Sequence, residues 1–146
     1  MFKYCLSLAL LLAAGTASAA CEFEVEVGDS LAYNTNAIAA DASCAEVTIK
    51  LVHTGTLPAV AMGHNWVLAK TDDYEAVATD GMTAGFEGNF LPADDARVIA
   101  ATKLVGGGES TSISFSTEGL SADGSYTFFC SFPGHTALMN GTFSLN

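Results

Sequence analysis

The sequence predicts an all-β domain, a sandwich or barrel, interrupted by one short helix. Three observations carry that expectation. Apolar and polar residues alternate with a period of two along most of the chain. The alternating runs are short and separated by Gly, Asn, Asp and Ser, and a single segment switches to helical spacing.

Taken in order, "CEFEVEV" at 21–27 turns Phe23, Val25 and Val27 toward a core and Glu22, Glu24 and Glu26 toward water. "VTIKLVH" at 47–53 places Val47, Ile49, Leu51 and His53 on one face. "NWVLAK" at 65–70, "RVIAATKL" at 97–104, "STSISFST" at 110–117, "SYTFFCSF" at 125–132 and "GTFSLN" at 141–146 read as further strands. In "TDDYEAVATDGM" at 71–82, Tyr74, Val77, Ala78 and Met82 recur at helical spacing. Thr71, Asp72 or Asp73 can cap the start of that helix, which should end near Gly81 or Gly85. "GGGES" at 106–110 lacks the lysine and following helix of a phosphate loop, so it reads as a turn.

The first nineteen residues read as an export signal: a basic start at Lys3, the apolar run "YCLSLALLLAAG", and small residues at Ala17-Ser18-Ala19. The apolar run is too short to span a bilayer. Cleavage near Ala19/Ala20 leaves a single domain over 20–146, large enough to bury its own core. A lipoprotein with Cys21 acylated fits less well, because Ser18 stands where a branched apolar residue is usual. The whole chain carries a formal charge of -11, with 5 Lys+Arg against 16 Asp+Glu, and export removes one lysine more. Such a balance argues against nucleic acid and anionic membranes as partners.

Of 4 cysteines, Cys5 leaves with the signal, so Cys21, Cys44 and Cys130 remain as one pair plus one over. Cys21 and Cys44 each border a predicted strand, which favours them as the pair; closing that loop contributes roughly 3 kcal/mol. Cys130 is then a free thiol in an oxidising compartment and needs a protector.

His64, in "AMGHNW", precedes a predicted strand, and His135, in "CSFPGH", follows one. A sandwich gathers its loops at two ends, so His64, Cys130, His135 and Met139 can converge. Two imidazoles, a thiolate and a thioether suit copper of the blue type. Structural zinc favours four strong ligands, and no Cys-x2-Cys pair is present. A Cys–His nucleophile wants a third orienting residue, and core packing accounts for Cys130 and Met139 better than for His135. His53, at a strand end on the apolar face, reads as a core histidine, and Trp66 as core.

The stretches "AMGHNWVL" at 61–68, "AVATDGM" at 76–82, "GGGES" and "CSFPGH", with the Cys-x4-His-x3-Met spacing, resemble the azurins, small cupredoxins of the bacterial periplasm. The likeness runs from about Cys21 to the C-terminus. It implies a Greek-key β-sandwich of about eight strands with a helical flap, holding one copper that cycles between Cu(II) and Cu(I). His64, Cys130 and His135 would be the strong ligands, Met139 a weak axial one, and the Gly63 carbonyl a weak contact opposite it. The Cys21–Cys44 disulfide is implied as well.

By the same resemblance Asn65 ties the ligand loops together. Phe132 and Pro133 stiffen and dry the loop, and electrons pass at the edge of His135. The surrounding apolar ring comprises Leu31, Leu57, Ala61, Met62, Phe132, Gly134 and Ala137. Leu31 and Thr136 depart from the residues the resemblance leads one to expect, which bears on docking and leaves the ligand set intact. The function implied is a monomeric periplasmic electron carrier, not an enzyme, serving redox proteins such as c-type cytochromes or copper reductases. Copper storage or delivery is the alternative on the same fold. An oxidase would need a second metal centre, and only His53 is left over. Asn140-Gly141-Thr142 matches a glycosylation sequon, but its turn position and the bacterial resemblance argue against use.

Overall fold

The computed structural model describes residues 19–146; the expected export signal thus lies almost wholly outside the described residues. Eight strands form two sheets: β1 (Glu22–Val27), β2 (Ala37–Ala40), β3 (Glu46–His53), β4 (Val67–Lys70), β5 (Ala100–Ala101), β6 (Ser110–Ser116), β7 (Tyr126–Phe129) and β8 (Asn140–Leu145). One sheet runs β1-β3-β6 and the other β2-β8-β7-β4-β5. β1 lies parallel to β3 and β2 parallel to β8; the remaining pairs are antiparallel. The two inner faces meet in one core, with Val25, Val47, Ile49, Leu51, Leu68, Trp66, Phe128 and Phe143 fully or almost fully buried. The alternation read from β1 and β3 is the alternation observed.

β7 breaks the period of two because all four of its residues are buried. Its outer face is covered by helix α2 (Tyr74–Gly81), which sets Val77 and Ala78 against Val67, Ala69 and Phe129 in a second small core. A strand covered on both faces reads as a continuous apolar run. Asp73 occupies the N-cap position of α2 without a side-chain capping bond. Met82, which shares the helical spacing of Tyr74, Val77 and Ala78, lies just beyond the last turn and is half exposed.

Three elements differ from the sequence expectation. β2 was not foreseen: "AIAA" is dominated by alanine, a weak strand former, and only Ile38 and Ala40 turn inward. A single helical turn, α1 (Ala59–Met62), follows Pro58. The expected strand over 97–104 shrinks to two residues, since its backbone groups find partners elsewhere. Arg97 N–H bonds the Asp95 carboxylate and Leu104 N–H the Asn89 side chain. The Cys21–Cys44 disulfide is present, Cα–Cα 5.7 Å, joining the start of β1 to the segment before β3.

Candidate metal centre

β4 and β7 are antiparallel neighbours with Val67 opposite Phe129, so the segment entering β4 and the segment leaving β7 share one end of the sandwich. His64 lies three residues before Val67, in an isolated bridge with Val105: its N–H donates to the Val105 carbonyl at 3.0 Å and its own carbonyl accepts at 2.9 Å. Cys130 is the residue after β7, and its N–H donates to the Met139 carbonyl at 3.0 Å. The loop between them is a tight coil, Met139 N–H reaching the His135 carbonyl at 2.8 Å. Gly134 adopts φ 83°, a turn conformation that glycine takes without strain.

These frames bring Cys130 Sγ to 3.8 Å from His64 Nδ1 and 3.6 Å from His135 Nδ1. All three donor atoms lie within 4.8 Å of one another, and all three residues are buried. The tautomer of His64 follows from its surroundings. Its Nε2 sits 3.0 Å from the Gly28 carbonyl, which can only accept, so Nε2 carries the hydrogen and Nδ1 presents a bare lone pair. Burial pushes the His64 pKa down to about 4, with the Gly28 hydrogen bond opposing, and lowers that of His135 too. Burial pushes the Cys130 thiol up to about 11. At neutral pH the site therefore holds neutral imidazoles and a thiol whose proton a metal must displace.

The donor spacing fits a metal. Bonds of about 2.0 Å to nitrogen and 2.3 Å to sulfur, spread trigonally, put neighbouring donors roughly 3.7 Å apart. The two observed separations bracket that value. Met139 is fully buried in the same loop, and Gly63 is buried beside His64, where a Cβ would run into the Ala59 carbonyl.

Asn65 locks the two segments together. Its Oδ1 accepts from Ser131 N–H at 2.9 Å, and its Nδ2 donates to Ser131 Oγ at 2.9 Å and to the Asn89 carbonyl at 3.1 Å. Tyr33 Oη donates to the Asn65 carbonyl at 2.6 Å. Ser131, Asn89 and Tyr33 were missed in the sequence, since nothing in their local pattern marks them. His53 stays outside the donor cluster: its Nδ1 accepts from Gly55 N–H at 3.1 Å, so Nε2 donates to the Met62 carbonyl at 3.0 Å. It is the satisfied core histidine the sequence suggested, stacked 5.1 Å from His64.

Phe132 packs on His135 with ring centroids 4.5 Å apart, and Phe90 stands edge-on to Phe132 at 5.2 Å. Of the expected apolar ring, Leu57, Ala61, Gly134 and Ala137 are exposed, while Leu31, Met62 and Phe132 are half-buried. Val60 and Leu138, not foreseen, are the most exposed large apolar side chains among the described residues, at 69% and 67%. Both lie on the segments that carry the ring.

A rigid β-sandwich with two imidazoles and one buried thiol at one end defines a cupredoxin, the class of small blue-copper electron carriers. The model of the copper binding proteins, plastocyanin/azurin family, matches residues 19–146, and the chain belongs to that family. It is 48% identical to the azurin of Pseudomonas aeruginosa over 139 residues, covering 95% of this chain and 94% of that one. It is 48% identical to the azurin of Bordetella pertussis over 148 residues, covering 99% of each. A solved azurin from the obligate methylotroph Methylomonas sp. strain J superimposes with a TM-score of 0.84 at 49% identity, covering 86% of this chain and 98% of that one.

Proposed function

We propose that the chain is exported on residues 1–19 and works in the periplasm as a single domain, 20–146. There it passes single electrons between redox proteins such as c-type cytochromes or copper reductases. The observation that carries this reading is the convergence of His64, Cys130 and His135 in a buried cluster matched to one metal ion. In this reading His64, Cys130 and His135 hold copper, with Met139 as a weak further ligand and the Gly63 carbonyl as a weak contact. Copper, when bound, alternates between Cu(II) and Cu(I) and so stores and releases one electron.

The chain's own residues do the rest. Two hydrogen bonds between the Asn65 side chain and Ser131 keep the His64 and Cys130 segments from separating, and a third ties Asn65 to the Asn89 carbonyl. A frame that resists adjusting its donors keeps reorganisation between the two oxidation states small. The phenyl ring of Phe132 packs over His135 and shields it from water, while Pro133, exposed beside it, stiffens the loop. Cys130 leads directly into β7, which gives the thiolate a covalent route into the sheet.

His135, 6% exposed, is the ligand nearest the surface, and the apolar residues around it form the docking face. A largely buried cluster with one thioether supports a carrier better than a storage or delivery protein, which needs ready metal exchange. The test is stopped-flow electron exchange with a reduced c-type cytochrome, comparing the native protein with Ala137→Lys. The charge should slow second-order exchange about tenfold or more while the visible spectrum is unchanged. An unaltered rate would remove this face from the reading.

A further inference from the structure

Thr136 follows His135 and is half-buried. Its Oγ1 donates to the Cys130 carbonyl at 2.8 Å, across the full width of the ligand loop. Its own carbonyl accepts from Asn140 Nδ2 at 2.9 Å, and Asn140 is the neighbour of Met139. The circuit closes through the Cys130 N–H, bonded to the Met139 carbonyl at 3.0 Å. Both backbone polar groups of Cys130 are thus held by the far side of its own loop. The residues so joined are Cys130 and Met139 themselves, with Thr136 beside His135 and Asn140 beside Met139.

We propose that Thr136 is a positioning residue: with Asn140 it forms a polar latch that fixes the spacing between Cys130 and His135. This rests on the copper reading above. A hydroxyl donor on a ligand's own carbonyl restrains rotation of the peptide that carries the thiolate. Without it a carbonyl buried with Cys130 loses its partner and must turn toward another donor. The loop would still close through Cys130 N–H and Met139, but the Sγ–Nδ1 separation would no longer be pinned.

The experiment compares native protein, Thr136→Val, Thr136→Ser and a control, Ile113→Val, placed on β6 away from the loop. Cu(II) affinity is read by chelator competition, the thiolate–copper absorption by its band positions and ratio, and amide hydrogen exchange in metal-free protein. Thr136→Val should weaken copper binding roughly tenfold to a hundredfold and alter the band ratio. It should also speed exchange at the Cys130 and Met139 amides. Thr136→Ser should restore all three, and Ile113→Val should change none of them. Should Thr136→Val fail to fold, Thr136→Ala replaces it against Thr136→Ser. Native-like values for all three readouts in Thr136→Val would overturn the latch. Native protein that takes up no copper would sink the copper reading, and hydrogen exchange would still decide the latch.

Discussion

Replacing Asn65 with alanine removes three hydrogen bonds from a position without solvent access. The partners do not suffer equally. Ser131 Oγ keeps its own bond to the Asn89 carbonyl at 3.1 Å, so that carbonyl stays paired. Ser131 N–H, in a residue 1% exposed, loses its acceptor. At about 1 kcal/mol for each neutral bond, with part of the penalty for one orphaned amide added, the loss is about 3–4 kcal/mol. For a domain of this size that corresponds to a fall in melting temperature of about 10 °C. Urea titration of metal-free protein, followed by Trp66 fluorescence, measures it. The slope with denaturant should stay constant while the midpoint falls. A loss below about 1 kcal/mol would refute the reasoning, because water would then replace the amide as well as the protein does.

Further outcomes follow from other sites. Trp66 is fully buried between Phe115 and Phe128, and its Nε1 is the one buried side-chain polar atom without a partner among the described residues. Its emission should lie at the short-wavelength extreme for indole and move to longer wavelength only on unfolding; solvent-like emission from the native protein would contradict this packing. Asp29 accepts from the N–H groups of Thr56 and Leu57 at 2.8 and 3.0 Å, and those bonds hold its carboxyl below the usual range. A depressed folded-state pKa stabilises the fold above the unfolded value and loses that stabilisation as pH falls through the folded one. Asp29→Asn should therefore be less stable than native protein at neutral pH, the difference closing below about pH 4; a pH-independent gap would refute it. Replacing Cys21 and Cys44 together by alanine should cost about 2–4 kcal/mol by urea titration; a neutral outcome would remove the staple's role.

Much of this was legible in the chain. Alternation marked β1, β3 and β6 because each has one face on the core and one in water. The helix at 74–81 was legible because its period differs from that of its neighbours. β2 was not, since alanine carries little preference, and β5 was overstated because Asp95 and Asn89 take backbone donors a strand would have used. At the site, the strong donors declared themselves by residue type: histidines and a lone cysteine are rare here and chemically specific. Ser131 and Asn89 did not, and Thr136 was marked only for docking, because common polar residues acquire a role only from the hydrogen-bond partners the fold sets beside them. Val60 and Leu138 were equally silent, since exposure is a tertiary property.

If His64, Cys130 and His135 hold copper as proposed, they form one thiolate–copper centre. A visible absorption spectrum of metal-free protein titrated with Cu(II), then treated with ascorbate, tests it most directly. An intense blue band should saturate at one equivalent, bleach on reduction, and be absent from a folded Cys130→Ser variant. A faint band, or a blue Cys130→Ser protein, would contradict it.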